Sequence, residues 1–429
     1  MLTPMRHYDR PSPGATRRRL TTALAALIVC AVALLAWPSS VAAQAAIQPE
    51  RPSALDPNAI FKQGSDGTYL CPKHLVRRTP HRCPPYGPGT RQVRRAFLSA
   101  RLPDPLPALA TEALPTPEGS VTRYLYGQIV NYPAPTYRHP AEAEAGLDPL
   151  RVFRSNINWA SVMGTVDYNG EVWVQINAEE YVRADHVAYP EPSRFQGIVL
   201  SEQPALPFAW LRREVQPSPS PGAPPSGEPL ARRTLVTIFA TEDVGGRRWD
   251  MVGPEQWIDH DTVSQITPRS APPGVPAGVK WIDVDTYEQT LAAYEGERLV
   301  YATLITAGKA ELTPLGLFRI FRKVSAALMQ SYDRSMDDEY WFHLEDVEHA
   351  QFFNDRISLH AAYWHDYFGS SRSNGCINLS PLDARRLYAW TDPQLPPGGS
   401  WVTAESAGEG QTWVWVHHSG DGVTHKPRW

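Results

Sequence analysis

Short runs in which apolar and polar residues alternate fill the last third of the chain and predict a fold made mainly of β-strands. The alternation from Trp281 to Val284 predicts one strand, and the segment Gln-Thr-Leu-Ala-Ala-Tyr at 289–294 predicts a second. Glu-Gly at 295–296 has the composition of a hairpin turn, and residues 299–306 are expected to form the returning strand. This part of the chain is therefore expected to begin with antiparallel pairs.

Further apolar runs continue the pattern toward the C-terminus. They predict strands over residues 317–321, 339–344, 357–360, 401–403 and 412–416. A helix is expected from Pro381 to Trp390, just after a strand that follows Cys376. Ser380 suits the N-cap, the proline suits the first helical position, and Asp383 lies near the positive end of the helix dipole.

Two β-like regions farther upstream share one spacing of aromatic and aliphatic residues. The matching positions are Gly170, Trp173, Tyr181, Val182 and Val187 in the first copy and Gly246, Trp249, Trp257, Ile258 and Val263 in the second. A repeated supersecondary unit accounts for equal intervals. We expect both tryptophans to pack in the cores of their units. This pattern of short strands and spaced aromatic residues resembles bacterial SH3-like modules, which are small β-barrels often attached to cell-wall enzymes.

Proline-rich segments divide the chain. Its 42 prolines are about twice the usual share, and they cluster. The expected divisions are an irregular Pro-rich region at 44–120, SH3-like modules at 121–190 and 231–268, a Pro-rich linker at 191–230, a last domain at 279–404, and a C-terminal strand and tail at 405–429. The modules are expected either to bind wall peptides or to serve as a spacer that positions the last domain.

Residues 1–43 have the composition of an export signal. Three arginines at 17–19 precede an apolar run over 20–37, Pro38 ends it, and the small residues at 41–43 suit a signal peptidase. An uncleaved membrane anchor is the alternative, because the run is just long enough to span a bilayer. Both interpretations place the rest of the chain outside the cytoplasm, in the cell wall or at the outer face of the membrane.

The cysteines separate by context, and one of the four lies within the export signal. Cys71 and Cys83 are close in sequence, and a local disulfide is the default for such a pair in an oxidising compartment. Together with His74 and His81 they could instead form a zinc site, although the spacing is not a common zinc pattern. Cys376 remains as an unpaired thiol, which in an exported protein is a candidate reactive group.

Cys376 lies in a short window that also contains His360 and His365. A thiol is a useful nucleophile only as the thiolate, and a nearby imidazole is the usual means of forming it. Gly375 would give the cysteine a tight turn that leaves backbone N–H groups free for an oxyanion hole. The alternative is a buried small cysteine with two ordinary histidines.

Charge and motif content exclude several function classes. The formal net charge of −4 shows no basic footprint, so nucleic acid is not an expected partner. Beyond the cysteine–histidine group near residue 71, no set of ligating side chains has metal spacing, and no phosphate-binding loop occurs. No cofactor and no catalytic metal are therefore expected.

Residues 279–404 resemble the catalytic domain of the L,D-transpeptidases of the YkuD type. The signature of that family is a histidine followed, after a dozen or more residues, by Ser-x-Gly-Cys-(Ile/Val)-(Arg/Asn). Here His360 is followed by twelve residues and then by Ser-Asn-Gly-Cys-Ile-Asn at 373–378. Segments at 284–291, 307–308 and 313–316 also match the order of the family. The resemblance implies a β-sandwich with short helices, here preceded by two small SH3-like barrels.

The resemblance also implies the chemistry of the site. Cys376 would be the nucleophile and His360 the general base, and the N–H groups around Gly375 and Cys376 would form part of the oxyanion hole. His365 is an alternative base, although a structural hydrogen bond to Asp366 is the preferred interpretation. A papain-like peptidase is disfavoured because its cysteine precedes its histidine.

The remaining motif residues have supporting roles in this resemblance. Ser373 and Asn378 would order the loop and the substrate through hydrogen bonds. Asn374 stands where the family often has a histidine, and an amide cannot carry the extra proton. Tyr340 is a candidate for the substrate cleft, with a place in the core as its alternative.

The implied reaction is acyl transfer between peptidoglycan stem peptides, which would be donor and acceptor. A thioester on Cys376 would be opened by the amine of a second stem, giving a cross-link between third residues. Opening by water would make the protein an L,D-carboxypeptidase. A non-catalytic wall-binding protein, with the SH3-like pair as its working part, is the hypothesis from another class.

Overall fold

The computed structural model describes residues 109–115, 117–154, 157–309, 312–331, 341–408, 410–420 and 426. The predicted export signal, both Cys71 and Cys83, and Tyr340 lie outside the described residues. Within the described ranges, no helix has the length and apolar character needed to cross a membrane.

Strands dominate the regular structure. Before residue 270 they are β1 (Thr111–Glu112), β2 (Leu125–Ile129), β3 (Ala134–Tyr137), β4 (Arg151–Phe153), β5 (Ile157–Val162), β6 (Gly164–Tyr168), β7 (Glu171–Asn177), β8 (Glu180–Arg183), β9 (Val187–Ala188), β10 (Ile198–Leu200), β11 (Phe208–Leu211), β12 (Leu235–Thr237), β13 (Ala240–Val244), β14 (Arg247–Gly253), β15 (Gln256–Asp259) and β16 (Val263–Ile266).

The later part of the chain adds ten further strands to the described structure. They are β17 (Lys280–Asp285), β18 (Thr290–Glu295), β19 (Arg298–Leu304), β20 (Gly316–Arg319), β21 (Arg322–Gln330), β22 (Phe342–Asn354), β23 (Ile357–Ala361), β24 (Ile377–Leu379), β25 (Trp401–Thr403) and β26 (Trp413–His417). The helices are α1 (Pro140–Glu144), α2 (Pro381–Trp390) and α3 (Ala404–Ala407), and 3-10 turns lie at Ala184–His186 and His260–Thr262. The fold is mainly β, as predicted.

The first large sheet has the strand order β1-β10-β19-β18-β17-β26-β20. Its centre is the antiparallel pair β17–β18, and β26 lies parallel to β17 on the other side. Ile282 and Val284 face the core between the large sheets, whereas Trp281 faces a second core on the opposite side. Because both faces are covered, residues on both sides of β17 are buried, including Asp283 and Asp285.

The second large sheet has the order β24-β23-β22-β5-β2-β9, and β21 and β25 extend it from β22. Leu359, Ile377 and Leu379 of this sheet pack into the same core as Ile282 and Val284. Two sheets packed across one apolar core form the predicted sandwich. Strand β22 extends to Asn354, well beyond the predicted 339–344, and β21 was not predicted.

Helix α2 has the predicted bounds. The Ser380 hydroxyl accepts the N–H of Asp383 at 3.1 Å, so the N-cap is the predicted one. Asp383 is buried, and its carboxylate accepts the Tyr301 hydroxyl at 2.6 Å and the Gly197 N–H at 2.9 Å. Burial raises the pKa of this carboxyl above its usual range. The helix start is thereby fixed to the first sheet.

Upstream strands belong to these sheets. Strand β10 pairs with β19 of the first sheet, and β5 pairs with β22 of the second. Both β10 and β11 lie within residues 191–230, so the prediction of a plain linker is wrong for those strands. Phe208 and Trp210 of β11 are buried against the outer face of the first sheet. The proline-rich composition of this segment favoured a linker prediction, and the two short strands were missed because their partner strands are distant in sequence.

The repeated spacing corresponds to a repeated order of elements. In each copy a hairpin strand with the tryptophan leads through a second strand and a 3-10 turn into a short strand. Trp173 is opposite Arg183, and Trp249 is opposite Asp259, so the two registers agree. Residues 208–266, strands β11 to β16, are called the second module below. The SH3-like identity of the two units remains a prediction.

Candidate active site

His360 and Cys376 lie on neighbouring parallel strands. Strand β23 pairs with β24 so that His360 is opposite Asn378, and Cys376 immediately precedes β24. Paired residues and their neighbours two positions away share one face of a sheet. Ser358, His360, Cys376 and Asn378 are therefore on the face that points away from the core. The structure brings the predicted nucleophile and base to one place.

The sulfur of Cys376 contacts the residue opposite it. Its Sγ lies 3.9 Å from the Ser358 hydroxyl and donates to the carbonyl of Arg356 at 3.7 Å. Burial raises the pKa of the Cys376 thiol, and hydrogen bonds from the Ser358 N–H and hydroxyl oppose that rise. The raised pKa means that the thiol is protonated at neutral pH and needs a base.

The imidazole of His360 is in the form that a base requires. Its Nδ1 lies 2.9 Å from the Ala361 carbonyl and donates to it, so the neutral ring keeps a lone pair on Nε2. The side chain is buried beside the indole of Trp364, with ring centroids 5.7 Å apart. Burial lowers the pKa of His360 to about 4, so the ring is uncharged at neutral pH.

His365 occupies a supporting position. Its Nδ1 accepts the N–H of Tyr367 at 3.2 Å. Its Nε2 lies 3.0 Å from Nδ2 of the Asn378 side chain. The expected hydrogen bond from His365 to Asp366 is wrong, because Asp366 bonds instead to Ser193 and Arg233.

The loop before the nucleophile is closed by Ser373. The Ser373 hydroxyl donates to the Cys376 carbonyl at 2.5 Å and accepts the N–H of Gly375 at 3.1 Å. The N–H of Gly375 is therefore not free, so the predicted oxyanion hole loses one of its donors. The N–H of Cys376, for which no partner occurs in the described part of the chain, remains for that role. Asn374 is exposed at the tip of the loop.

Gly375 is required by its surroundings. Its φ of +127° is a conformation that favours glycine. A Cβ there would lie 2.8 Å from the Ile357 side chain and 3.0 Å from the Leu312 carbonyl oxygen. The tight turn predicted at this position is thus packed against two other segments.

Thr313 and Ser358 contribute to the site although the motif comparison gave neither a role. The hydroxyl of Thr313 accepts the Gly308 N–H at 2.7 Å and donates to the Gly375 carbonyl at 2.8 Å. The position of Ser358 could have been inferred, because it lies two residues before His360 on one strand. The bridge from Thr313 to Gly375 joins residues distant in sequence and left no local signal.

Comparison with known proteins agrees with the sequence motif. Residues 279–416 match the family model for YkuD, the L,D-transpeptidase catalytic domain. The match starts at the predicted boundary and extends past residue 404 through most of β26. No curated protein matches the chain.

Several solved structures are similar to the chain. They are an L,D-transpeptidase from Mycobacterium smegmatis (17% identity, 60% of this chain and 81% of that one, TM-score 0.27), L,D-transpeptidase 3 from Mycobacterium tuberculosis (15%, 43% and 91%, 0.27), and the catalytic domain of an E. faecium L,D-transpeptidase acylated by ertapenem (22%, 34% and 100%, 0.26). These TM-scores are too low to carry an argument.

Proposed function

We propose that the protein is a peptidoglycan L,D-transpeptidase with Cys376 as its nucleophile, because residues 279–416 match the family model for YkuD, the L,D-transpeptidase catalytic domain. The observation that carries the proposal is the pairing of β23 with β24. That pairing places a neutral imidazole and a thiol on one face of the sheet. The substrates would be peptidoglycan stem peptides, and the protein would act outside the cytoplasm, where such substrates lie.

The first half-reaction is acylation. The sulfur of Cys376 attacks the carbonyl carbon of the third residue of a tetrapeptide stem, and the thiol proton passes to Nε2 of His360. The Cys376 N–H stabilises the negative charge that develops on the carbonyl oxygen. The C–N bond to the terminal D-Ala then breaks, and the imidazolium of His360 donates its proton to the leaving amine. A thioester and free D-Ala result.

The second half-reaction transfers the acyl group. The side-chain amine of a third residue in another stem attacks the thioester, and its proton returns through His360 to the departing sulfur. The product is an amide between third residues, which is a 3-3 cross-link, and the thiol is restored. Water as the acceptor would instead give a tripeptide stem, which is the carboxypeptidase reaction. The acceptor alone distinguishes the two outcomes.

The resting site is uncharged. Burial raises the pKa of Cys376 and lowers that of His360, so both effects oppose a thiolate–imidazolium pair before substrate binds. In the described structure the sulfur bonds to Ser358 and Arg356 and not to His360. Proton transfer therefore accompanies attack, after the thiol proton has left the Arg356 carbonyl. Catalytic hydrogen bonds often tighten only once substrate is bound.

The test uses imipenem, a carbapenem that can acylate a reactive cysteine. Intact-mass measurement of the full chain should show one added carbapenem, and peptide mapping should place it on Cys376. Cys376→Ala should show no adduct. A wild-type protein that remains unlabelled, or a Cys376→Ala variant that is labelled equally, contradicts the proposal.

A further inference from the structure

The segment that joins the predicted base to the nucleophile is held from outside the catalytic domain. This segment, residues 362–376, is called the catalytic loop. At its middle, the Gly369 N–H donates to the Ile305 carbonyl of the first sheet at 2.8 Å. On the other side, Nε of Arg212 donates to the Gly369 carbonyl at 2.9 Å. Arg212 directly follows β11 in the second module, so Gly369 is held between that module and the catalytic domain.

The backbone of Gly369 packs against the second module at van der Waals distance. Gly369 has φ +92°, and a Cβ there would lie 3.4 Å from the Ser264 hydroxyl and 3.8 Å from Cγ of Arg212. Arg212 is only 9% exposed, and its Nη1 donates to the Asp261 carbonyl at 3.0 Å. The guanidinium is thus oriented by its own module while it holds the loop.

A second clamp holds Asp366, three residues earlier in the loop. Arg233 of the second module bonds to the Asp366 carboxylate and donates to its backbone carbonyl at 3.2 Å. Arg232 donates to the same carbonyl at 2.6 Å, and the Ser193 hydroxyl also bonds to the carboxylate. Burial alone would raise the pKa of Asp366, but the hydrogen bonds from Arg233 and Ser193 lower it below its usual value. The carboxylate is therefore charged and paired at neutral pH.

Aromatic packing connects this clamp to the site. The Arg233 guanidinium lies 4.8 Å from the ring centroid of Phe195, which stacks on Phe368 at 6.2 Å. Phe368 is buried, and its ring lies 5.0 Å from that of His365. His365 bonds in turn to Asn378, the residue opposite His360. A movement of the second module would thus be transmitted to the strands that hold the base and the nucleophile.

The second module is docked firmly enough to act in this way. His260 of the module is buried, with its Nε2 3.0 Å from the carboxylate of Glu288 in the turn between β17 and β18. The same carboxylate accepts the Gln265 N–H at 2.7 Å and the Lys426 ammonium at 2.5 Å. Separating the module from this turn would remove two hydrogen-bond partners of the buried Glu288 carboxylate, which is costly.

We propose that Arg212 and Arg233 are positioning residues for acyl transfer, which makes the second module a working part of the catalytic unit. The inference rests on the proposed function, since it assumes that Cys376 is acylated. It differs from the expectation of a spacer or a wall-peptide binder, because it gives the module a role in the rate of the chemical step. Neither arginine touches the sulfur, and both act through the catalytic loop.

The test measures the rate constant and the amplitude of imipenem acylation separately, in the full chain. Arg233→Gln, Asp366→Asn and Arg212→Gln should each lower the rate constant about 10- to 100-fold at unchanged amplitude, because a displacement near 1 Å has effects of that size. Arg247→Gln is the matched control. That arginine belongs to the same module but is 72% exposed and pairs with Asp259, so the rate of this variant should stay at the wild-type value.

A double-mutant cycle separates positioning from general damage. If Arg233 acts through Asp366, the double variant should be no slower than the slower single variant, because contacting residues are not additive. Variants that acylate at the wild-type rate constant overturn the inference, and so do variants that lose amplitude alone, which reports unfolded protein. A wild-type chain without an adduct on Cys376 would instead overturn the proposed function.

Discussion

The hydroxyl of Thr313 donates to the carbonyl of Gly375, 2.8 Å away, and so fixes the residue that precedes the nucleophile. The same oxygen accepts the N–H of Gly308 at 2.7 Å. Because Thr313 is only 2% exposed, water cannot replace either hydrogen bond. One side chain therefore connects the end of the first sheet to the turn that presents Cys376.

Replacing Thr313 tests that connection. Thr313→Val keeps the shape but leaves a buried donor and a buried acceptor unpaired, which should reduce the free energy of unfolding by about 1–3 kcal/mol. The acylation of Cys376 by imipenem should also slow, because the turn is no longer held. Thr313→Ser, which keeps the hydroxyl, is the control and should retain most of the rate. Urea unfolding and intact-mass kinetics measure the two effects, and an unaffected Thr313→Val would refute this role.

Gly375 should tolerate no side chain. Gly375→Ala would place a methyl group 2.8 Å from Ile357 at a positive φ, so we expect lower stability and slower acylation. Gly398→Ala is the matched control, because Gly398 also has a positive φ but nothing within 4 Å of its Cβ position. Because of this steric contact, the free energy of unfolding should fall by about 1–3 kcal/mol more in Gly375→Ala than in Gly398→Ala. If denaturant unfolding gave equal losses of stability for the two variants, the turn at Gly375 would have space for a methyl group.

The pH dependence of acylation should have its acid limb near pH 4. His360 has its pKa lowered to about 4 by burial, so it stays neutral and able to accept a proton down to that region. The rate should therefore hold steady through pH 6–7, where an ordinary imidazole titrates. His360→Gln should be slow at every pH and lack this limb. A limb near pH 6.5 in the wild type would mean that the imidazole is not buried during the reaction.

Stability should follow the same titration. The folded-state pKa of His360 is below its unfolded value, so the unfolded chain binds more protons between about pH 6.5 and 4. The folded state should lose stability as pH falls through that window, and less so in His360→Gln. Urea midpoints of the two proteins at pH 7 and pH 5 measure the difference. If the wild type and His360→Gln lost the same amount of stability between pH 7 and pH 5, titratable groups other than His360 would cause the loss.

Arg372 should affect substrate binding. Its guanidinium lies 3.9 Å from the ring centroid of Tyr367, and its backbone N–H is fixed to Ala307 at 3.0 Å. No acidic partner pairs with it within the described ranges, so its charge is available to a substrate carboxylate. Arg372→Gln should raise the KM for a stem peptide about 10-fold with little change in kcat. A fall in kcat at constant KM would place Arg372 in the chemistry instead.

Features set by neighbouring residues could be predicted from the sequence, whereas features that depend on pairing between distant segments could not. Helix α2 could be predicted to its ends because Ser380 and Pro381 define its start within the helix itself. Cys376 and His360 could be recognised because the motif is short and continuous. Strands β10 and β11 could not be predicted from the sequence, because a strand of three or four residues gains its stability from partner strands far along the chain. The arginines of the second module were missed for the same reason: Arg212 and Gly369 meet only in the folded chain.

The most direct test of cysteine acyl transfer uses a disaccharide–tetrapeptide from peptidoglycan, with mass spectrometry of both protein and products. We expect a thioester adduct on Cys376 and one D-Ala released for each cross-linked dimer formed. Cys376→Ala should give neither the adduct nor the products. Release of D-Ala with tripeptide and no dimer would keep the nucleophile but identify a carboxypeptidase. Dimer formation by Cys376→Ala, or no D-Ala release by the wild type, would contradict the account.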